Sequence, residues 1–438
     1  MTYLLAFLFV LGVLIFVHEL GHFLAARFHG VRVITFSLGF GPKLLKFTRG
    51  ATEYCISAVP LGGYVKMAGE SPDDPRAGQP DEFLSKTKWQ RFQILFAGPL
   101  MNIILAVVIT AVVLAQGGQI PVYQDEPAVL GVIVPESPAA KVGLSPGDQI
   151  VRVDDEEIET WEDLDIAIGM RPDRDVSLVV RRDGGERALT VKTAAEGRYE
   201  IGSIGVGPNM HPMIARTEAG PGERAGLKAG DIVTAVDGIP IASRARLIEM
   251  ISKSAGREIA LTVMRGGEEL TIRATPELQG NRGMLQVLIS DATKEFSPTP
   301  LEAVRLSVER NIESGGYIFK TLGGLFTGET SVRQLQGPVG IAQLSGESAE
   351  LGWAALFSLM AMLSINLGIL NLMPVPVLDG GHILIMLLEG IARRDFSMQV
   401  KEKMLLAGFV VLMMLMVTVI YNDLTRVEWI ERFMPWRN

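Results

Sequence analysis

The side chains best suited to catalysis lie inside the first apolar stretch of the 438-residue chain. There His18, Glu19 and His22 interrupt a run of Leu, Phe, Val, Ile and Ala. An ionisable side chain at membrane depth costs roughly a few kcal/mol or more, so such residues usually mark a functional site. On a helix, positions i and i+4 share one face, so both imidazoles can bind one metal ion while the carboxylate beside them acts as a general base. This is the H-E-x-x-H arrangement of zinc hydrolases; the alternative is a buried helix whose two histidines are only hydrogen-bonded.

The third apolar stretch leads into a second polar cluster, which consists of Asn366, Asn371, Pro374, Pro376, Asp379 and His382. The two prolines break the helix and free backbone groups, which at membrane depth is tolerated only against protein or a water-filled cavity. Asp379 offers the carboxylate that a two-histidine site lacks, and His382 is the rival ligand because imidazole also suits zinc. Two other roles stay open: Asp379 as the N-cap of the following helix, and the two asparagines as hydrogen-bonding residues between helices.

Composition indicates a membrane protein that carries soluble modules. Hydrophobic residues make up 48% of the chain, charged residues make up 21%, and the mean hydropathy is positive at +0.28. The net charge is −8, and no basic block or aromatic-basic pattern indicates a nucleic-acid partner. The single Cys55 excludes an intrachain disulfide framework and a Cys-rich metal site, so a zinc ion would be bound by His and carboxylate.

Four segments are apolar and long enough to cross the ~30 Å hydrocarbon core of a bilayer: residues 3–25, 94–115, 353–373 and 404–421. The first lacks the basic start and the cleavage site of a signal peptide, so we expect it to remain on the mature chain. Lys and Arg cluster in residues 27–93 and 389–403, which predicts that both loops are cytoplasmic and that both termini and residues 117–352 lie on the other side. At ~1.5 Å per residue, His18 and Asn371 then both lie more than ~20 Å below the outer surface, in the cytoplasmic half of the bilayer.

The long insert contains an internal repeat, because residues 137–154 match residues 220–237 at a constant offset of 83. A period of this length is too long for a solenoid and suits two tandem small domains, at residues 121–198 and 200–280. Their short strands around a Gly-Leu-x-x-Gly-Asp turn resemble bacterial, circularly permuted PDZ domains, which bind peptides by strand addition beside a loop that captures a terminal carboxylate. The candidate for that loop is Val129, Leu130, Gly131 and Val132 in the first repeat. The second repeat lacks the glycine at the same offset, so carboxylate capture is not expected there.

The paired motifs then resemble a known family. His18-Glu19-Leu20-Gly21-His22, Asn371-x-x-Pro374-x-Pro376-x-Leu378-Asp379-Gly380 and the two repeats between them are similar to the bacterial site-2 proteases, most closely the type that regulates sigma-E. The resemblance covers nearly the whole chain. It implies that His18, His22 and Asp379 bind Zn²⁺, that Glu19 activates water, that Asn366 and Asn371 handle the substrate helix, and that His382 is not a ligand.

The same resemblance implies what the protease acts on and where. The expected substrate is the transmembrane segment of a single-span regulatory protein, an anti-sigma factor already trimmed outside the cytoplasm, cut during envelope stress signalling. The expected location is the bacterial inner membrane, with both termini and the PDZ domains in the periplasm and the active site in the cytoplasmic half of the bilayer.

Two further segments carry weaker predictions. Residues 32–41 and 52–66 have the pattern of short strands with Gly/Pro turns. The family resemblance implies a β-hairpin-like loop that dips into the membrane near the metal, where Gly62, Gly63 and Tyr64 would hold an unwound substrate by strand addition; the alternative is an ordinary cytoplasmic hairpin. Residues 300–325 favour a helix broken at two Gly-Gly pairs, and they suggest an amphipathic element on the membrane.

The expected architecture is a multi-pass α-helical membrane protein with four transmembrane helices, a membrane-associated β-hairpin-like loop and two tandem α+β PDZ domains. The membrane core has two halves, residues 1–116 and 351–438, and residues 298–350 form a membrane-associated helical linker. The favoured function is a zinc intramembrane endopeptidase, and the alternative is a catalytically inactive PDZ scaffold. Glu19 argues against the scaffold, because a scaffold gains nothing from that carboxylate at depth. The sequence supports a zinc transporter even less, since it shows only one small set of candidate ligands. The sequence does not predict the oligomeric state.

Overall fold

The computed structural model of the chain describes residues 2–70, 78–197, 200–280, 282–328, 330 and 332–425. The end of the predicted second membrane half, residues 426–438, lies outside the described residues. The chain divides into two compact units. We call them the membrane unit (Met1–Gln116, Pro298–Gly324 and Leu335–Asn438) and the insert unit (Gly117–Ser297 and Leu325–Gln334).

The first half of the membrane unit consists of helix α1 (Thr2–Phe28), strands β1 (Val33–Arg49) and β2 (Thr52–Met67), and helix α2 (Lys88–Ala115). Both helices are long and apolar enough to cross a membrane, as predicted. Thr87 and Gln90 form a capping box that fixes the start of α2. The sheet packs against α1 through Phe23 and Phe36, so the helix that carries the H-E-x-x-H motif and the sheet share one core.

Strands β1 and β2 form a larger sheet than the predicted hairpin. Residues 33–38 of β1 pair with residues 63–67 on one side and with residues 53–56 on the other. The chain bends at Gly39, whose φ of +91° is a conformation that glycine adopts at little cost. The two predicted segments therefore do pair with each other, but the strands are longer than predicted and each folds into two sheet segments. Among the described strands, segment 63–67 has a partner on one side only, which leaves it at the sheet edge.

The first repeat of the insert unit has its own core around Trp161, Leu164 and Leu178. Its elements are β3 (Gly118–Pro121), β4 (Leu130–Ile133), α3 (Pro138–Lys141), β5 (Gln149–Val153), β6 (Glu156–Glu157), α4 (Trp161–Gly169), β7 (Asp175–Arg182), β8 (Gly185–Lys192), β9 (Ala194–Glu196), β10 (Ile201–Ser203) and β11 (Val206–Pro208). One sheet has the order β6-β5-β7-β8, and β11 pairs with β4.

The second repeat has a separate core around Leu247, Leu261 and Leu285. Its elements are β12 (Pro212–Thr217), α5 (Pro221–Arg224), β13 (Ile232–Val236), β14 (Ile239–Pro240), α6 (Arg244–Lys253), β15 (Ile259–Arg265), β16 (Glu268–Ala274), β17 (Glu277–Gln279), β18 (Arg282–Met284), β19 (Val287–Asp291) and β20 (Thr293–Phe296). The main sheet has the order β16-β15-β13-β12-β19, and β20 pairs with β3.

The predicted limits of the two repeats end too early. Ile204 is buried in the first core, and Leu285 is buried in the second. In both repeats the last strand returns to pair with the strand at the start, β11 with β4 and β19 with β12. The two cores thus extend beyond the predicted limits at 198 and 280, because this returning strand carries little of the internal sequence match.

An ion pair recurs in both repeats at the predicted offset. Asp148 contacts Arg182 at 2.5 and 2.6 Å, and Asp231 contacts Arg265 at 2.6 and 2.7 Å. Both carboxylates are buried. Although burial alone raises the pKa of each carboxyl, the guanidinium beside it holds the pKa below its usual range. In both repeats, therefore, the same Asp–Arg ion pair connects the Gly-Asp turn to a strand of the sheet.

The second half of the membrane unit is helical. It consists of α7 (Pro300–Thr327), α8 (Pro338–Leu351), α9 (Trp353–Leu372), α10 (Asp379–Ile391) and α11 (Met398–Thr425). Helices α9 and α11 supply the other two candidate membrane spans, as predicted. The predicted breaks at the Gly-Gly pairs of α7 were wrong, because the helix continues through both. Asn311 of α7 donates a hydrogen bond to Thr110 of α2, so α7 packs against a span rather than only covering a surface.

Candidate metal centre

Three donor atoms converge between α1 and the start of α10. His18 Nε2 lies 3.2 Å from His22 Nε2 and 3.3 Å from Asp379 Oδ2, and His22 Nε2 lies 3.5 Å from Asp379 Oδ2. Ligands that sit about 2.0–2.1 Å from a tetrahedral zinc ion are separated from each other by about 3.3 Å. The donor set and its spacing therefore fit a zinc ion. The predicted pairing of the two motifs is realised in space.

His22 is held in the orientation that a ligand needs. Its Nδ1 donates a hydrogen bond to the carbonyl of Ile94 at 2.8 Å, so Nε2 turns its lone pair toward the cluster. A Cβ added at Gly98 would lie 2.2 Å from His22 Nε2, and one added at Gly21 would lie 2.3 Å from the Ala97 carbonyl oxygen. Helices α1 and α2 thus approach closely through two glycines, and the imidazole occupies the space that a side chain at position 98 would take.

His18 has a polar neighbour that the sequence did not reveal. The Asn102 amide nitrogen lies 3.2 Å from His18 Nδ1, and the Asn102 amide oxygen is buried without a hydrogen-bond partner among the described residues. Turning the amide by 180° satisfies both groups, because the oxygen then accepts from Nδ1–H and Nε2 keeps its lone pair for a metal. Asn102 thereby orients the ring of one candidate donor, His18. The only sequence feature that could have pointed to Asn102 is that it is an amide inside an otherwise apolar span.

Asp379 is the first residue of α10, and its side chain makes no capping hydrogen bond. The alternative role as an N-cap is therefore not realised. The preceding turn is tight: Val377 has a φ of +124°, which strains a β-branched residue, and a Cβ at Gly380 would lie 2.3 Å from the Leu372 carbonyl oxygen. His382, the rival ligand, is exposed and lies outside the donor cluster.

The donors open into a cavity of about 260 Å³. It is lined by His18, Glu19, His22, Gly63, Tyr64, Val65, Met67, Glu70, Leu95, Asn371, Val377, Leu378 and Asp379. Glu19 is thus beside the ligands without being one of them, as a general base must be. The edge segment 63–67 forms one wall and brings Gly63 and Tyr64 to the cavity. Asn371 of α9 lines the same cavity.

Not every predicted site residue reaches the cavity. Gly62 and Asn366 are not among its lining residues. Gly62 lies instead against the Phe40 ring, where a Cβ would come within 2.1 Å of a ring carbon. Conversely, Glu70 lines the cavity although no motif singled it out.

The predicted carboxylate-binding loop at Val129–Val132 is a strand. Leu130–Ile133 form β4, which pairs with β11, and the Leu130 amide donates to the Asp148 carbonyl at 2.7 Å. A Cβ at Gly131 would lie 2.5 Å from the Asn209 backbone. The Leu130 amide is thus engaged in the fold, and carboxylate capture by the other amides of this segment stays a prediction.

Helices long enough to span a membrane, joined to an H-E-x-x-H cavity with a third carboxylate donor, define a membrane-bound metallohydrolase. Comparison with known proteins makes this specific. The pattern of Peptidase family M50 matches residues 6–415. The regulator of sigma-E protease RseP of Salmonella typhimurium is 33% identical over 97% of this chain and 98% of that protein, and RseP of Escherichia coli K12 is 32% identical over the same shares. A Neisseria meningitidis protein provisionally named a zinc metalloprotease is 34% identical over 97% and 99%.

The chain therefore belongs to Peptidase family M50, the site-2 proteases, and is a zinc-dependent metalloendopeptidase. Among solved structures, the PDZ domain of the SdrC-like protein from Listeria monocytogenes is 19% identical and covers 20% of this chain and 90% of that domain, with a TM-score of 0.17.

Proposed function

We propose that this protease cuts the transmembrane segment of a single-span regulatory protein, an anti-sigma factor, after that substrate has been trimmed outside the cytoplasm. The observation that carries the proposal is the position of the cavity. Two of its three donors, His18 and His22, lie with Glu19 on a helix long and apolar enough to cross a membrane. One wall of the cavity is a sheet edge that has no second partner among the described strands. The resemblance to proteins named regulators of sigma-E supports the choice of substrate.

In the proposed chemistry, His18, His22 and Asp379 would hold zinc, and the bound ion would supply Lewis acidity toward the scissile carbonyl and the attacking water. Glu19 takes the proton of the attacking water and delivers it to the leaving amide nitrogen. Asn102 and the Ile94 carbonyl keep the two imidazoles in the required tautomer. The Glu19 side chain is buried, which keeps bulk water away from the proton transfer.

The sheet edge supplies the way to open a helical substrate. A transmembrane helix satisfies its backbone groups internally, so it must unwind before a peptide carbonyl reaches the cavity. Segment 63–67 can replace the lost hydrogen bonds by strand addition, and Asn371, which also lines the cavity, can bind a freed peptide group. Exposed apolar side chains at Leu44, Leu45 and Phe47 support placement of this sheet at the lipid boundary.

The proposed topology follows from the basic loops. Residues 27–93 and 389–403 face the cytoplasm of an inner-membrane protein, and the two repeats, proposed to be PDZ domains, lie in the periplasm. The zinc site then lies in the cytoplasmic half of the bilayer.

Reconstituted protein tests the proposal directly. Single-span substrates, trimmed and untrimmed, are incubated with and without a zinc chelator, and zinc is then restored. Cleavage inside the span, lost with the chelator and recovered with zinc, is the expected result. Cleavage only in soluble segments would contradict the proposal.

The ligand assignment is tested by metal analysis on matched variants. Asp379→Ala should lose both zinc and activity, whereas His382→Ala, three residues away on the same helix, should keep most of both. Zinc retained in Asp379→Ala and lost in His382→Ala would reverse the assignment.

A further inference from the structure

Glu389 is a buried carboxylate of the membrane unit that the proposed chemistry does not use. It lies near the end of α10 and is 1% exposed. Its Oε1 lies 2.7 Å from Lys401 Nζ and accepts a hydrogen bond from the Phe396 amide at 2.9 Å, and its Oε2 lies 4.0 Å from Lys88 Nζ. Burial of an ionised carboxylate is costly, and pairing with cations and hydrogen bonding of this kind offset the cost.

These contacts join three helices at one end of the membrane unit. Glu389 belongs to α10, Lys401 belongs to α11, and Lys88 is the first residue of α2. Replacing a buried ion pair by apolar side chains of similar size often costs no stability. The value of the pair therefore lies in the geometry that it fixes, which here is the position of α10 relative to α2 and α11.

Helices α10 and α2 both contribute to the metal centre. Asp379 is the first residue of α10, and Glu389 follows it by ten positions, so one helix segment about 15 Å long joins the two carboxylates. Helix α2 supplies the Ile94 carbonyl that orients His22. The contact between Glu389 and Lys88 therefore connects the helix of the third donor to the helix that holds the second donor.

Helix α11 touches the turn that leads to Asp379. A Cβ added at Gly408 would lie 2.6 Å from Pro376. Gly408 follows Lys401 by two helical turns, so both residues lie on one face of α11. Within the described residues, only 6% of the apolar stretch of α11 is buried, so each contact that holds this helix in place matters. The ion pair at Lys401 thus also helps to fix the turn before Asp379.

We propose that Glu389 is a positioning residue for the third zinc donor. Its contacts with Lys401 and Lys88 fix α10 against α11 and α2, and this keeps Asp379 within reach of the two imidazoles. The inference rests on the proposed function, which assigns Asp379 as a ligand. Without the negative charge of Glu389, α10 can shift relative to α2. The third donor then moves, while the imidazoles stay in place because other groups orient them.

The test is a double-mutant cycle on the full-length protein. Zinc affinity is measured by titration against a chelator for wild type, Glu389→Gln, Asp379→Ala and the double variant. Glu389→Gln keeps an oxygen acceptor for the Phe396 amide and removes only the charge. It should weaken zinc binding about tenfold, the lower end of the effect of groups that orient a ligand. In the Asp379→Ala background, where two imidazoles still bind zinc weakly, it should have no further effect, because the donor that it positions is already gone.

Cobalt substitution adds a readout of the metal geometry. Fully Co²⁺-loaded Glu389→Gln should show weaker visible absorption than wild type, because displacement of the third donor distorts the tetrahedral site. The matched control is Asp395→Asn, which removes an exposed carboxylate that lies 2.9 Å from Lys88 at the same end of the membrane unit. It should keep the zinc affinity and the cobalt spectrum of wild type. If Glu389→Gln does not fold, Lys401→Met enters the same cycle, since it removes the closest cation and leaves the carboxylate beside Lys88.

The inference is overturned if Glu389→Gln binds zinc like wild type with an unchanged cobalt spectrum. It is also overturned if the effects of Glu389→Gln and Asp379→Ala add, because the buried carboxylate would then be structural only. Asp379→Ala by itself tests the proposed function. Unchanged zinc affinity in that variant would refute the ligand assignment and the inference with it, whereas weakened affinity together with additive effects would refute the inference alone.

Discussion

At the scale of single residues, the metal centre depends on a glycine as much as on its ligands. His22 can reach the donor cluster because position 98 of the facing helix carries no side chain. The imidazole is fixed at its other nitrogen by the Ile94 carbonyl, so it cannot swing aside without losing a buried hydrogen bond.

Gly98→Ala should therefore displace the imidazole and weaken zinc binding by about 10- to 100-fold, the usual effect of disturbing the groups that orient a ligand. The matched control is Gly12→Ala on α1, where an added Cβ meets nothing within 4 Å. Competition with a chelator of known affinity measures both. Equal zinc affinity in the two variants would show that α1 and α2 separate freely, which would contradict their close packing at Gly98.

The donor residues were predictable from sequence for a physical reason. The i, i+4 spacing of His18 and His22 is local and is read directly from a helix. Residue chemistry offered both Asp379 and His382 as the third donor, and only the family resemblance decided between them, because contacts across more than three hundred residues have no local signal. Asn102 and Glu70 could not be found, since a single polar residue in a span or loop has no diagnostic spacing.

At the scale of elements, each insert repeat is tied together by its buried Asp–Arg pair. Asp148 is 1% exposed and Asp231 is fully buried. Removing either carboxylate takes the acceptor away from one guanidinium and from one turn amide, that of Ser145 or of Lys228.

Asp148→Asn should reduce the free energy of local opening of the first repeat by about 2 kcal/mol and leave the second repeat unchanged. Amide hydrogen exchange on the full-length protein measures both repeats at once, so the second repeat is an internal control. Glu186→Gln, which removes an exposed partner of Arg181, should change neither by more than about 0.5 kcal/mol. Equal loss of protection in both repeats would mean that they do not open independently.

The same pair predicts a pH dependence. The pKa of Asp148 lies below its ordinary value of 3.8, so its contribution is complete above that pH and is lost as the pH falls through the lower, folded-state value. In Asp148→Asn the first repeat should lose this acid sensitivity.

The elements also show where sequence patterns stop being informative. Apolar length identified the four candidate spans found among the described residues, because bilayer thickness imposes that length. Alternation located the strands around Phe36 and Tyr64 but not their fold into a wider sheet, which depends on pairing between distant segments. The Gly-Gly pairs of α7 were misread as breaks, because packing of the helix against α2 and α9 outweighs the low helix propensity of glycine.

At the scale of the whole molecule, a large insert separates the two halves of one catalytic centre. On the proposed topology the insert lies on the periplasmic side and the zinc site lies in the cytoplasmic half of the bilayer. A peptide bound to a repeat therefore cannot reach the zinc site at the same time. The proposed role of the repeats is to exclude substrates that still carry a large folded periplasmic domain.

Replacing residues 122–292 by a two-residue Asn-Gly turn keeps the β3–β20 ribbon and removes both repeats. We expect the shortened protein to bind zinc normally and to cleave an untrimmed substrate that the full-length protein refuses. Gel analysis of trimmed and untrimmed forms of one substrate measures this. A shortened protein that binds zinc and still rejects the untrimmed form would contradict exclusion.

We propose that Glu19 performs the proton transfer in a zinc site built by His18, His22 and Asp379. The most direct measurement determines zinc content and cleavage of a trimmed single-span substrate on one preparation of Glu19→Gln. The amide cannot accept a proton from water, but it leaves all three donors in place. We predict one bound zinc per chain and cleavage reduced by at least about a thousandfold. Cleavage at the wild-type rate with zinc bound would show that Glu19 is not the group that transfers the proton.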